Sequence, residues 1–444
     1  MSDIQASDIQ TLLTDAIGAE NVDVALPERI DSVLVTDERS DKKPKCVALP
    51  TTTDDLGRVL AIANQQGWRS LPMGQGTKIS WGGLAKNIDL IISTARLNQI
   101  VDHAVGDFTV TVQPGLKVAD LQAQLAEKRQ FLAVDPAFDQ NATVGGLVAT
   151  ADASSLRQRY GGIRDMLIGV QIARYDGKLA RAGGKVVKNV AGYDLMKLMT
   201  GSYGSLGVLS ELTFRLYPQM NNLRSLLITG SVSAIRAATA DIRLSGLTPV
   251  AFDVLSKGVV KALGQTGSQT GNQTDTHAVV ARFQGVSEGV EEQSERLEKI
   301  AATHGMDVLR LDGAADTDFW RASSELVRPE SLLCKIGLKP SAIAALLLQV
   351  DEVIPEAQVR LYGSSGLGWV QFENANRAVD VVGKLRSLCE ENGGFLTILQ
   401  APKTIKETVD VWGYTGDALG VMKSVKQKFD PHHILSPGRF VGGL

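Results

Sequence analysis

Ala182 to Tyr217 reads AGGKVVKNVAGYDLMKLMTGSYGSLGVLSELTFRLY, a run that strings two glycine turns, a short amphipathic helix and a strand together with small residues throughout. Glycines at 183, 184, 192, 201, 204 and 207 supply bends and let backbone approach a ligand with no Cβ in the way. That density points to a cofactor. Three upstream segments fit the same ligand: LPMGQGTK (Leu71 to Lys78), VQPG (Val112 to Gly115) and DPAFDQNATVGG (Asp135 to Gly146). Each sets glycine and a small or polar residue beside an apolar strand.

The chain has 444 residues, more than one hydrophobic core usually supports, so two or three domains are expected. A net charge of −3, from 46 basic and 49 acidic residues with no long basic run, argues against a nucleic-acid partner. Cys46, Cys334 and Cys389 are far apart and form no C-x-x-C, so cysteines of this chain alone hold neither zinc nor an iron–sulfur cluster. They read as reduced packing residues. The N-terminus MSDIQASDIQTLL is acidic where a signal peptide is basic, and no apolar run approaches roughly 18 residues. A cytoplasmic protein with no membrane span is expected.

From Val47 onward helix and strand patterns alternate. TTTDDLGRVLAIANQQG has Thr and Asp caps, apolar Leu56, Val59, Leu60 and Ala63 at helical spacing, and a stop at Gly67. FTVTVQPG alternates as a half-buried strand does, and a helix follows at Lys117 to Lys128. Short strands among helices predict an α+β arrangement rather than a long doubly wound sheet. Four parts are expected: an N-terminal segment 1–46, a domain 47–222, an α+β domain 223–401, and a helix and tail 402–444. In the second domain, Arg360 to Phe372 (RLYGSSGLGWVQF) reads as one strand, and LGQTGSQTGNQTDT (Leu263 to Thr276) as a mobile surface loop.

A diphosphate needs several converging donors, which a glycine loop offers at short range. The loop Pro72, Met73, Gly74, Gln75, Gly76, Thr77 and Lys78 can do this, although a G-x-G turn after a strand is often only a turn. It is neither the nicotinamide fingerprint, because position 79 is Ile, nor a P-loop. With Gly145, Gly146 and the run Gly201 to Gly207 it reads as part of one site.

Residues from about 47 to 222 resemble the FAD-binding domain of the vanillyl-alcohol oxidase and p-cresol methylhydroxylase (PCMH) superfamily. The resemblance lies in PMGQGTK, VQPGLKVADLQ, ATVGGLVAT, RYGGIRD, the run from Val186 through Pro218, and the closing FDPHHILSPGRF. Within the superfamily the wording is most similar to an FAD-binding subunit of bacterial glycolate oxidase (glycolate dehydrogenase). The resemblance implies a two-subdomain PCMH-type FAD-binding domain, a smaller α+β substrate or cap domain, and a C-terminal tail that returns to the FAD domain through Pro437, Gly438 and Arg439. It implies a pyrophosphate wrapped by Gly74 to Lys78, with Pro114 and Gly115 nearby. Thr143, Gly145, Gly146, Ala149 and Thr150 would line the flavin, and Gly204, Gly207 and Val208 the adenosine side.

Where covalent relatives carry a loop histidine this chain has Thr77, so non-covalent FAD is expected. The metal-binding histidines of the stand-alone D-2-hydroxyacid dehydrogenases are absent from Arg360 to Phe372, and Ser436 replaces the Asn before Pro-Gly. No metal site is expected. The implied activity is oxidation of glycolate or a similar small 2-hydroxy acid. The implied partners are a homologous FAD-binding subunit and an iron–sulfur subunit, through which the inner face of the membrane would be reached. A non-catalytic assembly or electron-relay subunit and a stand-alone D-lactate or D-2-hydroxyacid dehydrogenase remain alternatives.

No catalytic residue is assigned. Arg360 is a candidate for a substrate carboxylate, because its planar fork suits one, or for a surface salt bridge. His432 and His433 read as a turn-solvating pair; His103, His277 and His304 read as exposed loop or helix-end residues. Trp81 and Trp369 are candidates for ring stacking or for packing.

Overall fold

The computed structural model describes residues 6–35, 43–138, 140–152, 155–185, 192–264, 276–329, 331–373 and 377–444. Leu263, Gly264 and Thr276 of the expected mobile loop are within these; positions 265–275 lie outside the described residues, as does 186–191 of the glycine-rich run.

Three sheets organise the chain. The first has the order Val22–Asp23, Cys46–Ala48, Leu90–Ser93, Ser70–Met73, and its last three strands run parallel. Helix Thr53–Gln66 packs on it through Leu56, Val59, Leu60 and Ala63, the residues its spacing singles out. The Thr52 side chain accepts from Asp55 N–H at one end, and Gly67 takes the left-handed conformation at the other.

The second sheet is antiparallel, in the order Ile100–Ala104, Thr109–Val112, Val208–Arg215, Leu167–Ala173, Leu179–Gly183. Val208–Arg215, the strand that ends the glycine-rich run, is its central member. The short helix Leu195–Met199 precedes it, capped by Asp194.

The third sheet has eight antiparallel strands, from Asp307–Asp312 at one edge to Phe395–Gln400 at the other. Its helices pack on one face, burying Ile235, Leu297, Leu346 and Leu385 in one core. Each such side chain contributes about 1.5–3 kcal/mol. The opposite face of its middle strands turns toward the first two sheets. The stretch read as a single strand folds instead as a hairpin, Gln358–Tyr362 against Leu367–Phe372. Gly366, at φ 68°, takes the backbone through a turn that the alternation of the flanking residues conceals.

After helix Leu419–Phe429 the chain crosses back to the first sheet. Ser70 N–H donates to Ile434 O, Ser436 N–H to Ser70 O, and Lys86 N–H to Pro437 O. This is the fold of the PCMH-type FAD enzymes, with its two subdomains, cap and returning tail.

All three cysteines are buried and free, and burial raises their thiol pKa values, that of Cys46 to about 11. His277 corrects one expectation: it is 4% exposed in strand His277–Gly285, not in a loop, because the strand begins directly at the end of the polar segment. His103 likewise sits in a strand, its Nε2 2.8 Å from Gln130 Oε1.

Candidate functional site

A cleft of about 790 Å³ opens between the first two sheets, a size typical of cofactor sites. Pro72 to Lys78, Pro114, Thr143, Gly145, Gly146, Ala149, Thr150, Gly204, Gly207 and Val208 all line it, so the structure gathers nearly every residue singled out in the sequence. Gly115 is the exception. It lies behind Pro114, where an added Cβ would collide with the Thr94 carbonyl, so its smallness serves packing.

Glycine is required in the walls for two reasons. Gly204 has φ 72°, and a Cβ there would come 2.7 Å from Pro72 Cγ. A Cβ on Gly145 would lie 2.6 Å from Pro114 Cβ, and one on Gly74 would strike Thr143 Oγ1. The loop brings a set of donors with it. The backbone N–H groups of Gly74, Gln75, Gly76 and Thr77 donate to no acceptor among the described residues. Successive N–H groups left open in a concave loop suit a diphosphate, so this cleft fits a dinucleotide.

A second cavity, of about 580 Å³, meets the cleft at Thr150. Trp81, Asp135, Asp152, Lys335, Arg360, Tyr362 and Trp369 are among its walls. Lys335, Trp369 and Arg360 stand side by side on three neighbouring strands, in direct register. Arg360 is neither free nor at the surface. Its Nε donates to Asp253 Oδ2 at 2.8 Å, Nη2 to Ser155 Oγ at 2.7 Å and Nη1 to Ser323 O at 3.2 Å. The fork expected for a substrate carboxylate or a surface salt bridge is therefore held by a buried internal carboxylate. Lys78 is paired too, 3.4 Å from Asp152 Oδ2, and it lies over the Trp81 ring.

Lys335 differs. Its Nζ has one hydrogen-bond partner among the described residues, the Ala151 carbonyl at 3.3 Å, and burial pulls its pKa down. Sequence reasoning misses it, though a lone lysine inside the apolar run Leu332 to Gly337 is a visible signal. It also leaves Arg439, Tyr203, Thr94 and Ser202 out of the cleft wall. His432 and His433 face Asn64 and Gln427 respectively, and both are exposed. Among the described residues no three His, Cys, Asp or Glu side chains gather as a metal site, and no helix is long and apolar enough to cross a membrane.

An FAD binding domain family matches residues 44–183, and the C-terminal domain of FAD linked oxidases matches residues 412–440. The chain is an FAD-dependent oxidoreductase of the vanillyl-alcohol oxidase and p-cresol methylhydroxylase type, and its cofactor is FAD. It is similar to glycolate oxidase subunit GlcD of Bacillus subtilis, with 25% identity covering 97% of this chain and 96% of that protein. It is also similar to a D-lactate dehydrogenase of Anaerostipes hadrus, with 27% identity and 89% of each chain covered. p-Cresol methylhydroxylase with bound substrate superposes with a TM-score of 0.72 at 15% identity, over 98% of this chain and 96% of that one. The expected resemblance to a glycolate oxidase subunit thus holds, through relatives that carry the name GlcD.

Proposed function

We propose that the chain is the FAD-binding subunit of a glycolate oxidase or dehydrogenase complex, oxidising a short 2-hydroxy acid to the 2-oxo acid. The observation that carries this reading is Lys335, a buried cation with a neutral partner only, in a cavity that joins the flavin cleft. FAD, held without a covalent link, accepts the two electrons leaving the hydroxyl-bearing carbon. The chain's own part is to bind, orient and exclude water. Gly74 to Thr77 hold the diphosphate by backbone N–H, and Thr143 to Thr150 with Gly204 to Val208 line the rest of the cleft. Lys335 takes the acid's carboxylate by a charge-assisted hydrogen bond, displacing the weaker contact to Ala151. Trp81 and Trp369 wall the cavity and keep it dry.

The electrons then pass to a partner: a homologous flavoprotein and an iron–sulfur subunit complete the complex in this reading, and the location is cytoplasmic. The similarity to a D-lactate dehydrogenase favours a second reading, in which the chain acts alone on a larger D-2-hydroxy acid. Anaerobic addition of glycolate and of D-lactate to the purified flavoprotein tests both. Bleaching of the flavin bands by the lone chain with D-lactate selects the second reading; bleaching by glycolate only when partners are present selects the first. Flavin that neither acid bleaches under any condition overturns both.

A further inference from the structure

Arg439 is fully buried at 3% exposure, and it lines the flavin cleft. Its donors reach only neutral oxygens: Nη1 to Gly83 O at 2.6 Å, and Nη2 to Ile79 O at 2.6 Å and Trp81 O at 2.5 Å. Nε has no partner among the described residues. No carboxylate comes within ion-pair distance of it among the described residues, and burial lowers its pKa to about 10. A second buried cation stands close behind. Lys406 Nζ donates to the carbonyls of Ser80, Gly82 and Leu399, again with no acidic partner among the described residues. Its charge is felt at Arg439, each repelling the other.

Two buried cations without a counter-anion are costly to fold, several kcal/mol per ion by solvation alone. Such an arrangement is compensated when the missing negative charge arrives with a ligand. The position says which part of the ligand. Arg439 grips residues 79 to 83, and Trp81 in that segment is also a wall of the second cavity. The open N–H groups of Gly74 to Thr77 lie earlier in the same loop and suit the diphosphate. Arg439 therefore sits at the end of the cleft that opens toward the second cavity, where the redox-active ring must stand to meet a substrate.

We propose that Arg439, backed by Lys406, is the electrostatic counter-charge for the isoalloxazine ring, and that it favours the negative charge which reduction or nucleophile addition places there. The inference rests on the cleft being the flavin site and is independent of which acid is oxidised.

The test uses the full-length holoprotein with sulfite as the anionic probe and a dye-coupled measurement of the FAD midpoint potential. Arg439→Gln keeps a donor and removes the charge; Lys406→Met removes the rear cation and leaves the cleft wall intact. Arg439→Gln is expected to weaken sulfite binding at least tenfold and to lower the midpoint by about 30 mV or more, the two-electron equivalent of tenfold. Lys406→Met shifts both in the same direction by less, and Arg439→Lys restores them to within about threefold. Wild-type sulfite affinity and potential in either charge-removing variant overturn the proposal. Loss of FAD affinity with an unchanged potential also overturns it, assigning Arg439 to the phosphates. If Arg439→Gln does not fold, Lys406→Met decides. FAD stoichiometry in the same samples reports separately on the cleft itself.

Discussion

Lys426 Nζ lies 2.6 Å from Asp430 Oδ2, one turn away, with the two side chains 2% and 0% exposed. Lys426 also donates to Ser205 O and Leu435 O, both at 2.8 Å, while Asp430 accepts from the N–H groups of Ile434 and Leu435. This pair anchors the returning tail to the segment that closes the cleft. Removing one member leaves the other charge buried and alone, so Lys426→Met is expected to cost about 3–5 kcal/mol. Urea unfolding of the variant, followed by tryptophan fluorescence, measures it. A loss below about 1 kcal/mol refutes the anchoring role.

Gly204→Ala forces a side chain into φ 72° and against Pro72 Cγ and Ser436 Oγ. The left-handed conformation alone costs about 1–2 kcal/mol. FAD affinity, measured by fluorescence on titrating the apoprotein, is expected to fall roughly tenfold or more, about 1.4 kcal/mol per tenfold step. Unchanged affinity would remove Gly204 from the cofactor wall.

These two sites differ in how far they can be read from sequence. Gly204, the loop Gly74 to Lys78 and the helix between Thr52 and Gly67 are local signals: a turn, a cap or a spacing is written in adjacent residues. Lys335 gains its meaning from strands far apart in the chain, because it lies opposite Trp369, which lies opposite Arg360. Register of that kind depends on which strands pair, and no short window contains it. Arg360 is chemically notable in the sequence but not available in the fold, since Asp253, 107 residues away, holds it. The hairpin hidden in Arg360 to Phe372 misleads for the opposite reason. Its alternation continues across the turn, and only the glycines at 363 and 366 break it.

Lys335→Met is expected to raise the KM for the 2-hydroxy acid, or its Kd in anaerobic flavin reduction, at least roughly tenfold. A hydrogen bond to a charged group is worth about 1.5–3 kcal/mol. FAD content should be unchanged, and a neutral ester of the same acid should lose its disadvantage against the free acid. Equal KM in variant and wild type would move the carboxylate elsewhere.

Ser436 is buried at φ 48°, and its hydroxyl has no hydrogen-bond partner among the described residues. Ser436→Gly relieves the backbone and removes the orphan hydroxyl, and is expected to raise stability by about 1 kcal/mol. Thermal unfolding of both holoproteins checks the sign; a lower Tm for the glycine variant refutes it.

The thiol of Cys46, held near pKa 11 against an ordinary 9.0, makes folding pH-dependent in a defined sense. Folded chain keeps the proton where unfolded chain has lost it, so this contribution is complete below pH 9 and is lost as pH rises from 9 toward 11. Cys46→Ala should therefore show a shallower fall of its urea midpoint across that window than the wild type. Equal slopes would show that the thiol is not protected. In the native state below pH 9, all three cysteines should resist thiol reagents and react only on unfolding.

The strand Ser70–Met73 and the residues Ile434 to Ser436 touch across more than 360 positions of chain, and Arg439 completes a wall that Leu71 begins. During synthesis the two sheets can form long before that wall exists, because the tail is among the last parts to leave the ribosome. Retention of the cofactor is thus delayed until translation has nearly finished. A prematurely terminated chain that lacks the tail would keep its sheets yet come off the column colourless, and yellow colour serves as a built-in readout of full-length synthesis.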